Sequence, residues 1–188
     1  MRLLTRIALL VLGMTAIVVA ADPLFQRCWD KFNRIESGQL RPGSVVLFTP
    51  AELNAWTQGR VPQMFDGVRN PRLQLGTGTA TGSAFVDFLK IRKSQGLETN
   101  GFLGKLIEGE RPLKVSVRVE SGQGRATVFL TGVELSGVTI SGSVLDFLVK
   151  DFFLPLFPDA KINQPFELGD NIDRIEVRPE VVRVTIRK

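Results

Sequence analysis

Lys114–Thr131 reads KVSVRVESGQGRATVFLT. Lys114, Ser116, Arg118 and Glu120 alternate with Val115, Val117 and Val119. Successive side chains of a strand point to opposite faces, so this period of two predicts a strand with one wet face and one dry face. Ser121-Gly122-Gln123-Gly124 supplies a turn and Arg125 to Thr131 the return strand, which makes the segment a β-hairpin.

Working outward, Val68 to Leu75 and Thr79 to Ile91 predict an earlier strand pair. In the second of these, Phe85, Val86, Phe88 and Leu89 set apolar groups on both faces, so something is expected to cover the second face. Leu97 to Glu110 interrupts the strands. There Phe102, Leu103, Leu106 and Ile107 lie between glycines and predict a short helical turn or an apolar loop. Val138 to Ile140 predicts a further short strand. Ile172 to Val177 and Val181 to Arg187 close the chain as a hairpin turning at Arg178-Pro179-Glu180, with Val182, Val184 and Ile186 on one face.

Upstream of the sheet the periodicity is helical. Asp22 is a candidate N-cap and Pro23 fits the first helical position. Leu24, Phe25, Cys28, Trp29, Phe32 and Ile35 then recur at helical spacing, with a stop at Gly38. Val45 to Phe48 predicts a short strand. Thr49-Pro50-Ala51-Glu52 carries the signature of a capping box opening a second helix, with Leu53 and Trp56 on one side and an end near Gly59.

Ser143 to Phe157 predicts a third long helix of unusual composition. After Ser143 only Asp146, Lys150 and Asp151 interrupt Val144, Leu145, Phe147, Leu148, Val149, Phe152, Phe153, Leu154, Leu156 and Phe157. The polar positions span an arc of roughly 140°, which leaves about 220° apolar, twice the stripe of about 100° that a surface helix needs. Pro155 and Pro158 mark its end or a kink. Three environments satisfy such a helix: a core wrapped by the sheet, a groove whose other wall is a lipid chain, or a membrane interface. The run is too short to span a bilayer.

Composition narrows the chemistry. The 188 residues suit one domain and include no His, no Tyr and a single Cys, Cys28, against 13 Phe. Without His there is no Ser-His-Asp triad, no Cys-His pair and no imidazole base. A zinc site would rest on carboxylates and one thiol. No enzyme, cofactor or metal is expected. One Cys rules out an intramolecular disulfide, and its place on an apolar helix face assigns it to core packing.

The N-terminus reads as a secretory signal: Arg2 and Arg6 precede Ile7 to Ala21, a run of 15 uncharged residues ending Val19-Ala20-Ala21. An uncleaved anchor is the alternative. Residues 22–188 are then a single domain. Losing Arg2 and Arg6 leaves 22 basic against 19 acidic residues, near +3. Export and this mild charge favour an anionic lipid surface over nucleic acid.

The order of elements resembles the small exported bacterial members of the TULIP superfamily, the tubular lipid-binding domains. It runs signal, amphipathic helix, a short strand into Thr-Pro-Ala-Glu-Leu-Asn (Thr49 to Asn54), an antiparallel meander, a long apolar helix and a closing hairpin. The resemblance implies an α+β fold, a highly curved antiparallel sheet wrapping a long apolar helix as a half-barrel, with acyl chains in the cleft between them. It carries over no catalytic residue. On that reading a phospholipid or fatty acyl chain lies against Trp56, Phe85, Phe88, Leu145, Leu148, Phe152, Phe153 and Leu156. Lys90, Arg92 and Lys93, with Phe102, Leu103 and Leu106, dock to the membrane. The protein would act in the periplasm or cell envelope, tethered if residues 1–21 are retained. Two alternatives stay open: an envelope scaffold with the same fold and a filled core, bound to an unidentified protein, and a carboxylate-dependent hydrolase. The Lys90–Lys93 cluster also fits a solvated strand end that blocks edge pairing.

Overall fold

The computed structural model of the chain describes residues 22–94, 108–154 and 161–188, with the backbone alone at 151 and 152. The expected signal or anchor (1–21) lies outside them. So do the expected apolar loop residues Phe102, Leu103 and Leu106, and Leu156 at the end of the expected apolar helix. The fold is α+β, with four α-helices and two antiparallel sheets among the described residues, neither sheet closed.

The first helix, α1 (Pro23–Glu36), opens with the Asp22 carboxylate accepting from the Leu24 N–H at 2.8 Å. β1 (Val45–Phe48) leads into α2 (Pro50–Met64). The capping box is complete: the Glu52 N–H donates to Thr49 Oγ1 at 3.2 Å, and the Thr49 N–H donates to Glu52 Oε2 at 2.9 Å. The helix does not end near Gly59. A Cβ at that position would come within 2.8 Å of the Phe25 ring, so Gly59 is the point where α1 and α2 approach rather than a terminator.

A meander follows. β2 (Val68–Gly76) pairs with β3 (Thr79–Asp87), β3 with β4 (Glu110–Gly122), and β4 with β5 (Arg125–Leu135). Short β6 (Val138–Thr139) and β7 (Pro165–Glu167) flank β5. Gln123 and Gly124, both at positive φ, form the two-residue turn between β4 and β5. The second sheet has three strands in the order β1, β9 (Val181–Ile186), β8 (Ile172–Arg178). β8 runs against the hairpin tips of the larger sheet. Ser121 Oγ donates to the Ile175 carbonyl at 2.6 Å and accepts from the Ile175 N–H at 2.8 Å, and the Gly124 N–H reaches the Asp173 carbonyl at 2.9 Å.

Three local expectations are corrected. The strand expected over Thr79–Ile91 stops at Asp87, and α3 (Phe88–Ser94) begins. Asp87 caps it, its carboxylate accepting from the Lys90 N–H at 2.9 Å. Phe88 and Ile91, three apart, are both buried on one helix face. The apparent two-faced strand is therefore a change of period, from strand to helix.

The strand expected over Arg125–Thr131 continues to Leu135, through a bulge. Ser116 pairs Gly132 while Val117 pairs Leu130, which leaves Thr131 extra. The inward residues thus switch parity, from Val128 and Leu130 to Val133 and Leu135.

The helix expected over Ser143–Phe157 is not one long apolar α-helix among the described residues. It is α4 (Gly142–Leu148), seven residues long, followed by a π-helical turn over Val149–Phe153.

The core has two parts. Cys28, Ile35, Val46, Phe48, Val184 and Ile186 are buried between the first two helices and the three-stranded sheet. Val86, Phe88, Ile91, Leu135 and Leu148 are buried where α3 and α4 meet the larger sheet.

Candidate functional site

The dry face that period two predicts for β4 and β5 is only partly covered. At one end Leu113 and Leu135, register partners, pack with α3 and α4. Along the same strands Val115, Val117, Val128 and Leu130 are half-buried, and they line a partly open cleft of about 290 Å³. Val68, Val86, Phe88 and Ile91 form one wall with Phe65 from the turn after α2. Leu145, Leu148, Val149 and Phe153 form the other, and Ile162, bridged to Val128, closes one side. All sixteen lining residues are Phe, Leu, Ile or Val. No side chain in the wall offers a hydrogen bond or a charge, so the cleft can select only by shape and apolar area.

The wall on the α4 side depends on the π turn. The Leu154 N–H bonds to the Val149 carbonyl, an i→i+5 bond that takes in one residue more than an α turn. Later residues therefore lag by one position. In an uninterrupted α-helix, residue 152 would share a face with 145, 148 and 149. Phe153, four residues after Val149, lines the cleft beside it.

Of the residues expected to contact an apolar ligand, Phe88, Leu145, Leu148 and Phe153 come together in this cleft. Trp56 does not. It sits in the other core cluster, its ring centroid 5.2 Å from that of Phe32. Phe85 does not either. It lies on the opposite face of β3 from Val86, 40% exposed, with the Arg69 guanidinium 5.6 Å above its ring and Arg69 paired to Glu110 at 2.5 Å. The Phe152 side chain and all of Leu156 lie outside the described residues. The strand residues Val115, Val117, Val128, Leu130 and Val133 complete the site. Alternation marked Val115 and Val117 as part of a dry face; the faces of Val128, Leu130 and Val133 were not read, and nothing local distinguished a packed dry face from an open one.

The expected docking cations lie on α3 beside the cleft, not at a strand end. Lys90 Nζ is 2.7 Å from Asp66 Oδ1, and that hydrogen bond and charge push its ammonium above the usual lysine range. Arg92 is half-buried, Lys93 is exposed, and both fall in the last turn, where cations suit the helix dipole.

Among the described residues, no group of three or more Cys, Asp or Glu side chains converges to hold a metal ion, and no helix is long and apolar enough to cross a membrane. No protein-family model, no curated protein and no solved structure matches the chain.

Proposed function

We propose that the protein binds an acyl chain, free or on a phospholipid, in the cleft between the larger sheet and the α4 wall, and carries or presents it at the cell envelope without catalysing a reaction. The single observation that carries this reading is the cleft itself: about 290 Å³ walled by sixteen apolar residues and no polar side chain. Such a volume lies at the lower edge of the roughly 300–1,000 Å³ of small-molecule sites, and it holds on the order of ten methylene-sized groups at about 30 Å³ each. At about 0.8 kcal/mol per methylene the gross gain is roughly 8 kcal/mol, which sets the upper limit of affinity near micromolar before ordering costs.

What supports a TULIP-like reading is an antiparallel sheet whose dry face meets a short apolar helical segment; on that reading residues 1–21 direct export, and Lys90, Arg92 and Lys93 face an anionic membrane. Among the described residues α4 is short, so strands β3, β4 and β5 would supply most of the contact with the chain.

Two substitutions test the reading. Val117 is half-buried on the cleft wall, whereas Leu148 is buried in the packed end. Val117→Glu is expected to abolish displacement of a fluorescent fatty acid by hexadecanoic acid while the circular dichroism spectrum stays native. Leu148→Glu is expected to unfold the domain by burying an unpaired charge. If wild-type protein purified from membranes carries no lipid in native mass spectrometry and takes up none, the filled-core scaffold replaces the carrier.

A further inference from the structure

Phe153 combines two properties that do not usually go together. It lines an apolar cleft, and it is 37% exposed, whereas Leu148 on the same wall is 7% exposed. Leu148 is therefore the deep contact, and Phe153 stands at the mouth. Phe153 falls within the π turn, where the Leu154 N–H bonds to the Val149 carbonyl. A π turn is rarer than an α turn, and such turns recur at functional sites.

We propose that Phe153 sets the length of apolar chain that the cleft admits, a role that rests on the cleft being the ligand site proposed above. A ring 37% exposed at the rim of an apolar cleft limits a chain in one way: atoms up to the ring are covered by protein, and atoms beyond it are not. Each methylene that gains cover adds to affinity, and each that stays in water adds nothing. The chain length at which affinity stops rising therefore reports where the ring stands. Trimming the ring withdraws cover from the outermost methylenes, and enlarging it extends cover outward. Asp146 and Lys150, exposed on the outer side of the same helical segment, take no part.

The test is a series of saturated fatty acids, from about eight to eighteen carbons, displacing a fluorescent fatty acid from wild type, Phe153→Ala and Phe153→Trp. Phe153→Ala should move the plateau to shorter chains, with roughly tenfold weaker binding of acids at the wild-type plateau, since about two methylenes lose cover. Phe153→Trp should move it to longer ones. Phe153→Leu replaces Phe153→Ala if the latter loses its native circular dichroism. An unchanged plateau in all variants, with binding retained, overturns the role of Phe153 and leaves the cleft as the ligand site. Absence of binding by wild type at every chain length overturns both.

Discussion

Lys31 Nζ lies 2.6 Å from both carboxylate oxygens of Glu52, and Glu52 is the one charged residue among the buried side chains described. The pair ties α1 to the start of α2, in addition to the capping box that Glu52 forms with Thr49. Burial alone would push the Glu52 carboxyl up. The hydrogen bonds from Lys31 and Thr49 outweigh it and hold the group below its ordinary value of 4.5. The contribution to stability is thus fully present above about pH 4.5 and is lost as pH falls through the native value. Lys31→Met should cost about 3 kcal/mol near neutral pH, at the lower end for a broken buried pair because Lys31 keeps some contact with water. It should also weaken the acid dependence, since the Lys31 hydrogen bond and charge that lower the Glu52 pKa are gone while those from Thr49 remain. Urea denaturation of both proteins between pH 3 and 7 checks the sign.

Asn54 treats β2 as a neighbouring strand would. Its Nδ2 donates to the Leu73 carbonyl, its Oδ1 accepts from the Leu73 N–H, both at 2.8 Å, and Nδ2 also reaches the Pro50 carbonyl at 3.0 Å. The side chain satisfies an edge of the sheet where no strand follows. Asn54→Ala leaves both Leu73 groups without partners and should destabilise the protein by about 2–3 kcal/mol. Asn54→Asp keeps the acceptor but sets a charge against the Leu73 carbonyl, and should do no better. Thermal unfolding of the two variants decides.

Cys28 is fully buried, and burial, followed by the Glu52 carboxylate, pushes its thiol up to about 11. The thiolate is the reactive form, so the native protein should resist a thiol reagent at pH 8. Labelling should proceed only through unfolding, at a rate that rises with urea in step with the loss of circular dichroism. Fast labelling in buffer would show that α1 opens locally.

The Thr49 to Asn54 segment illustrates how far the residues could be read without a structure. Thr49, Pro50 and Glu52 announced a helix start, and the structure places that cap as expected. Glu52 and Asn54 turn out to join α2 to α1 and to β2. Those partners lie 21 and 19 residues away, and no local pattern specifies them. Half of the eight residues expected to contact a ligand meet in the cleft, and Trp56 and Phe85 do not. Side-chain type identified large apolar groups, whereas the site depends on which face of its element each occupies.

The amino-acid sequence alone determined the α+β class, the antiparallel hairpins and the helix caps, because each follows from spacing and turn chemistry within a few residues. Only the tertiary structure decided the three places where the phase slips: Asp87 to Phe88, Thr131, and Val149–Phe153. A bulge, a π turn or a switch from strand to helix has little local signature, since its stability comes from the packing that it permits on distant elements. Those slips set which residues face inward, and so they, more than the composition of the apolar run, shape the cleft.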